Sequence, residues 1–222
     1  MSDDVPPPAP SKLTTSKQRW AGEGRFLTGH TARPESERLP PGQHLVRDWP
    51  VLDLGVHPRI TLERWTLRVD GAVEEPLLWN WAAFQAQPRH REVSDIHCVT
   101  TWSRYDNTWE GVATQALLAA ARPRPTARFV VLHSHDGYTT NLPLQDFAAA
   151  NAILASSWQG SPLTPEHGGP VRLIVPHLYL WKSAKWLQRI EFRADDQPGY
   201  WEVRGYHERG DPWREQRYSD DP

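Results

Sequence analysis

Twenty-one prolines are spread through this 222-residue chain, and they limit what it can fold into more than any other feature. Proline locks φ and has no amide hydrogen, so it breaks helix interiors and is kept out of central strands. Long helices are disfavoured from the start. Pro34, Pro40, Pro41, Pro50 and Pro58 punctuate residues 33–58, which predicts an extended segment wrapping a surface. Regular elements must fit between such breaks. In TLERWTLRVDGAV, Trp65, Leu67 and Val69 alternate with Arg64, Thr66 and Arg68, the period of a half-buried strand, closed by an Asp70-Gly71 turn. LLWNWAAFQAQ reads as a short helix ended by Pro88, and EVSDIHCVT as a strand with Cys98 at or just past its end. VATQALLAAAR suits a helix packing through Leu117 and Leu118 and stopped by Pro123. RFVVLHS predicts a buried strand turning at Asp136-Gly137 into YTTNLPL, PLQDFAAA a short helix from Pro143, and VRLIVP and LQRIEFR two further strands. Short strands mixed with short helices indicate α+β, with a mixed or mainly antiparallel sheet.

At 25.4 kDa the chain can bury one core, and one domain over residues 33–222 behind a polar, Pro-rich tail at 1–32 is the expected organisation. A net charge of -2 and a pI near 6.5 argue against a nucleic-acid partner. No stretch reaches the roughly 18 to 20 apolar residues that span a bilayer. The acidic start MSDDV is unlike a signal peptide, and a single cysteine needs no oxidising compartment, so the expected location is cytoplasmic.

That one cysteine, Cys98, sits in DIHCVTTWSRYDNTWEGV and admits three readings. It is a small buried hydrophobe, a nucleophile, or a metal thiolate. His97 is badly placed as a base, because neighbours on a strand point to opposite faces. There is no C-x-x-C or H-E-x-x-H spacing; His133 and His135, two apart at a strand end, could share a face, with structural or solvent-facing histidines as the commoner reading, and a metal held mostly by an organic cofactor would need only this one thiolate. Such a cofactor needs an anion pocket. LTPEHGGPVRLIVPHLYLWKSAKW offers Arg172, Lys182, Lys185 and Ser183, with Gly168 and Gly169 for close backbone approach; a solvated cationic face is the alternative.

HCVTTWSRYDNTWEGV, DGYTTNLPL, TPEHGGPVRLIVPHLYLWKSAKW and GYWEVRGYHERGDPW, in that order, resemble the sulfite oxidase superfamily of molybdopterin enzymes, in its compact bacterial branch. The resemblance runs from about Leu39 to Tyr218. It implies the α+β molybdopterin-binding fold of that family, with mixed, mainly antiparallel sheets and short helices. It also implies molybdenum-molybdopterin as cofactor, Cys98 as the protein ligand to molybdenum, and Arg172, Ser183 and Lys185 as holders of the pterin and its phosphate. His167 falls at a polar pterin contact, and Ser134 is a looser match to another. The expected chemistry is two-electron oxygen-atom transfer, as reduction of a small S-oxide or N-oxide, with electrons from a separate donor or acceptor protein such as a haem protein. The alternative is a molybdopterin-binding or redox partner protein without turnover. Sulfite oxidases proper carry an arginine-asparagine-histidine run where this chain has PVLDLGVHP, and Leu52, Asp53 and Leu54 cannot replace that arginine. Arg104 is the candidate substitute anion contact, set against a salt bridge to Asp106 or Glu110. The Trp-rich GYWEVRGYHERGDPW carries no derivable chemistry; core packing by Trp201 and Trp213 is expected, with Arg204 and Arg209 lining the site or pairing with Glu202 and Asp211.

Overall fold

A computed structural model describes residues 37–55 and 57–221. The expected tail at 1–32 lies outside these residues.

Period-2 burial appears where the sequence alternates. Strand β2, Thr66–Gly71, buries Leu67 and Val69 and exposes Arg68, and Trp65 just before it is buried too. Strand β1 is His44–Leu45. Leu77–Asn80 forms strand β3 rather than the first turns of the expected helix, because it pairs antiparallel with β2 and buries Trp79 between exposed neighbours. Helix α1 is only Trp81–Gln85. Its N-terminus is set by Asn80, whose side-chain oxygen accepts from the Ala83 amide at 2.9 Å.

Strand β4, Arg89–His97, pairs antiparallel with β5, Trp102–Ala113, a twelve-residue strand without a clean alternation in sequence. A register shift at Glu110/Gly111, where β5 meets its other neighbour, obscures the pattern. Gly111 is required there: a Cβ would stand 1.9 Å from the carbonyl oxygen of Leu154. Helix α2, Thr114–Ala121, buries Leu117 and ends at Arg122 in the left-handed region, just before Pro123. Strands β6, Phe129–Ser134, and β7, Thr139–Pro143, form the expected hairpin, and helix α3 is the single turn Leu144–Phe147. The remaining strands are β8, Ile153–Trp158, β9, Ser161–Pro162, β10, Arg172–Ile174, and β11, Leu187–Arg193.

Two sheets result. One is six-stranded, ordered β1-β5-β8-β10 with β4 on β5 and β9 on β8; the other is five-stranded, ordered β3-β2-β11-β6-β7. Only β1/β5 and β11/β2 are parallel pairs, so the architecture is α+β with mainly antiparallel sheets. The larger core cluster gathers Trp65, Leu67, Val69, Phe84, Leu117, Phe147 and Ile190, and the smaller one Trp49, Ile96, Trp102, Trp109, Ile174 and the Cys98 thiol. Each fully buried Leu, Ile or Phe contributes about 1.5–3 kcal/mol, so these clusters hold the strand ends in place without disulfides. What matters for function is where the strands stop. Cys98 follows β4, Ser134 ends β6, and Arg172 opens β10.

Candidate functional site

The loop from Cys98 to Thr101 joins β4 to β5, closed by the Cys98 amide on the Trp102 carbonyl at 2.8 Å and the Thr101 amide on the Cys98 carbonyl at 3.0 Å. Gln43 donates to the same Cys98 carbonyl at 3.1 Å. The amide and carbonyl of Cys98 are therefore both engaged. Its Sγ contacts the Thr100 hydroxyl at 3.1 Å and is 6% exposed, and burial pushes the thiol pKa up. His97 turns away, its Nδ1 on the Ser103 hydroxyl at 2.8 Å and its ring against Trp213, as strand alternation predicts.

Cys98 lines a cavity of about 310 Å³. Ser134, His167, Arg172, Ser183 and Lys185 line it as well, so these six candidate site residues share one space, whereas Arg104 and Lys182 do not join them. Arg104 does not line it. Two residues along β5 from Trp102, about 7 Å at strand rise, its guanidinium reaches the Arg47 carbonyl at 3.0 Å, the Asn107 side chain and the face of Trp158. Neither Asp106 nor Glu110 forms a salt bridge with it among the described residues. Lys182 is also outside the cavity. It is wholly buried and donates to Glu202 at 2.6 Å and to both the carbonyl and side-chain oxygens of Asn141 at 3.0 Å.

Arg172 is the decisive electrostatic feature. It is 4% exposed, donates to the carbonyls of His167 at 2.8 Å and Ser183 at 2.9 Å, and lies over the Trp49 ring. No carboxylate pairs with it among the described residues, and burial pushes its pKa down to about 9. A buried cation without a counter-ion is costly, so this site is built for an anion. Lys185 stands beside it, donating to the Glu166 carbonyl at 2.8 Å, 3.7 Å from Asp53, with its pKa pushed to about 8 by burial and by Arg172. Gly168 lets the chain fold against this lysine, for a Cβ there would meet Lys185 Cβ at 2.8 Å.

The hydroxyls differ. Ser183 Oγ accepts from the Val175 amide at 3.0 Å, whereas Ser134 Oγ is buried without a partner among the described residues. Trp102 Nε1, also in the lining, is likewise orphaned. Buried polar atoms without partners are rare, and two of them on residues that line one cavity, with a guanidinium that has no carboxylate partner among the described residues, fit a large, anionic, hydrogen-bonding ligand. His167 donates from Nε2 to the Trp49 carbonyl at 3.1 Å, leaving Nδ1 to accept from the Thr164 hydroxyl at 3.0 Å, and stacks on Trp49 at 4.1 Å. With both nitrogens engaged and its pKa lowered by burial, it is a neutral wall.

Among the described residues no group of three or more His, Cys, Asp or Glu side chains comes together to hold a metal. Any metal at Cys98 must bring most of its own ligands.

The model of the oxidoreductase molybdopterin binding domain matches residues 54–201. The chain belongs to that family. It is a molybdopterin-dependent oxidoreductase of the sulfite oxidase-like type, with molybdenum-molybdopterin as cofactor. YuiH of Bacillus subtilis strain 168, described as an uncharacterized oxidoreductase, is 47% identical over 186 residues, which are 83% of this chain and 94% of that protein. The protein-methionine-sulfoxide reductase catalytic subunit MsrP of Campylobacter jejuni is 26% identical over 157 residues, 63% of this chain and 52% of that one. The sulfane dehydrogenase SoxCD of Paracoccus pantotrophus shares the fold, with a TM-score of 0.58 at 20% identity over 85% of this chain and 60% of that chain. In this molybdopterin-binding chain no helix among the described residues is long and apolar enough to cross a membrane.

Several lining residues of the cavity were given no site role from the sequence, among them Trp201, for which core packing was expected. Trp49, Trp102, Tyr138, Trp181, Trp201 and Tyr206 supply most of the aromatic wall, and the segment 50–54 contributes from the departing PVLDLGVHP run. Their one local signal is tryptophan set in proline- and glycine-rich text, which does not separate a cavity wall from a core. Arg204 and Arg209 are not in the lining. Arg204 donates to the Tyr200 carbonyl at 2.7 Å, and Arg209 pairs with Asp146 at 3.3 Å instead of Asp211.

Proposed function

We propose that the protein reduces a small S-oxide, with electrons delivered by a separate redox protein. The observation that carries this reading is the distribution of charge. The two cations of the lining, Arg172 and Lys185, stand together beside His167 and Glu166, and among the described residues no other lysine or arginine lines the cavity. In place of a substrate-binding arginine the 50–54 segment offers Leu52, Asp53 and Leu54. Asp53 is ionised in character: burial acts to raise its pKa, but hydrogen bonds with His57 and the Gly55 amide hold it below the usual carboxylate value. An inorganic oxyanion such as sulfite would find no free cation there. The similarity to MsrP, whose name is that of a sulfoxide reductase, supports the same class.

In this reading Cys98 supplies the thiolate to molybdenum, and Arg172 and Lys185 neutralise the pterin phosphate. Ser134 and Trp102 give their unspent hydrogen-bonding groups to the cofactor, Ser183 holds the backbone of Val175 beside it, and the stacked His167 and Trp49 form its wall. When bound, molybdenum-molybdopterin supplies two-electron oxygen-atom transfer. The balance is simple: the S–O bond breaks, sulfur gains two electrons from the partner, and the oxygen leaves as water with two protons from solvent.

Protein from a host that makes molybdopterin tests this directly. Near one molybdenum per chain and turnover of dimethyl sulfoxide with reduced benzyl viologen are expected. Bound cofactor without turnover on any S-oxide would overturn the reductase reading and favour a carrier or redox partner. Oxidation of sulfite would overturn it in the other direction.

A further inference from the structure

We infer that the Trp-rich C-terminal segment is the substrate-selecting wall of this site, with Trp201 and Tyr206 favouring an uncharged S-oxide that carries an apolar substituent. The inference rests on the S-oxide reading above and deepens it.

The cavity lining has two chemically different parts. Arg172, Lys185, His167 and Trp49 make one, linked by the contacts already given. The other is tied to Cys98 through the chain: His97 and Tyr179 form a parallel bridge, which lays the turn Leu180–Lys182 beside the thiol loop. Trp181 of that turn stacks on Tyr179 at 5.3 Å and meets Tyr206 edge-on at 5.1 Å. Tyr206 in turn lies nearly parallel to Trp201 at 4.9 Å. Trp181, Trp201 and Tyr206 all line the cavity, so one continuous aromatic surface faces it.

This surface is preorganised. Glu202, between the two wall residues in sequence, accepts from Lys182 at 2.6 Å, from Thr140 at 2.8 Å and from Trp181 Nε1 at 3.1 Å. Gly210 packs on the other side of Trp181, where a Cβ would come within 2.7 Å of the ring. The surface is also uncharged, since Arg204 is drawn onto the Tyr200 ring at 3.7 Å and Arg209 onto Asp146. A rigid aromatic face without free charge rewards an aryl or alkyl substituent and gives an inorganic anion nothing.

The test compares methyl p-tolyl sulfoxide with dimethyl sulfoxide, using reduced benzyl viologen and molybdenum-loaded protein. Wild type should prefer the aryl substrate. In Trp201→Ala the ratio of the two kcat/KM values should fall about 10-fold, mainly through KM, with molybdenum content unchanged, and Trp201→Phe should restore most of it. Trp201→Leu provides the same comparison should the alanine variant not fold. An unchanged ratio in Trp201→Ala or Trp201→Leu, or no aryl preference in wild type, would overturn the inference. Quenching of tryptophan fluorescence by methyl p-tolyl sulfide gives a second readout independent of turnover. If wild type reduces neither sulfoxide, the reductase reading fails while sulfide binding still decides the wall: about 10-fold weaker binding in Trp201→Ala keeps it, and equal or absent binding removes it.

Discussion

Lys182 Nζ and Glu202 Oε1 meet at 2.6 Å with both side chains wholly buried. Lys182 sits between Trp181 and Ser183, and Glu202 follows Trp201, so this ion pair joins two parts of the cavity wall that lie twenty residues apart. Burial acts to lower the Lys182 pKa and the Glu202 charge opposes it.

Removing one partner of this pair strands the other. Glu202→Leu or Lys182→Met alone should cost about 3–5 kcal/mol, read as a shift in the urea midpoint. The double variant should recover a substantial part of that loss, since a well-packed apolar pair escapes the desolvation cost. Equal destabilisation by single and double variants would show that the polar network around Asn141 and Thr140, rather than the stranded charge, is what matters.

Arg172 should separate binding from stability. Its guanidinium meets carbonyls and the Trp49 ring but no carboxylate among the described residues, so Arg172→Met is expected to change the stability of cofactor-free protein by no more than about 1 kcal/mol. Retention of molybdopterin after desalting should nevertheless fall at least about 10-fold, the effect of losing one buried charge-assisted contact. Denaturation curves and pterin fluorescence after oxidation measure the two effects separately.

Lys185 predicts a pH dependence. Its folded pKa is about 8 against 10.5 for an ordinary lysine. Between those values the unfolded chain binds more protons than the folded one, so this lysine makes cofactor-free protein more stable as pH rises through that window. Affinity for the anionic cofactor should move oppositely, weakening above about pH 8 as Lys185 loses its proton. In Lys185→Met this loss of affinity above pH 8 should be much reduced, which titration of pterin uptake against pH will show.

Cys98 should be slow to alkylate in cofactor-free protein at neutral pH, because burial raises its pKa and only the thiolate reacts. Bound cofactor should protect it further. Cys98→Ser is expected to keep the fold and to lose the thiolate-to-metal absorption of the loaded protein. Iodoacetamide labelling and visible spectra check these outcomes.

Gly111→Ala should be among the most damaging small substitutions, since its Cβ would overlap the Leu154 carbonyl in the adjacent strand. A loss of at least about 2 kcal/mol is expected. A thermal midpoint near that of wild type would mean that β5 and β8 separate more readily than their pairing suggests.

Elements with a local pattern were legible in advance: β2 by its alternation, α2 by Leu117 and its proline stop, and the β6-β7 hairpin by Asp136-Gly137. β3 was hidden, because LLWN carries helix-compatible residues and becomes a strand only against β2. β5 was hidden by its register shift. Cys98, Ser134, His167, Arg172, Ser183 and Lys185 were proposed by motif and resemblance, and all six line one cavity. Arg104 and Lys182 looked equally suitable as charges, and their surroundings placed them elsewhere.

The sequence alone determined the short elements, the single thiol and the supply of cations near the HGGP and KSAK runs, because proline geometry, side-chain periodicity and charge are local properties. Which cation stays unpaired, which tryptophan faces a cavity and which hydroxyl lacks a partner were decided by tertiary structure. Those properties depend on what lies across the gap, and the residues across it come from distant parts of the chain. Arg172 invites an anion because no carboxylate among the described residues is folded against it, while Lys182, ten residues later, is silent because Glu202 is.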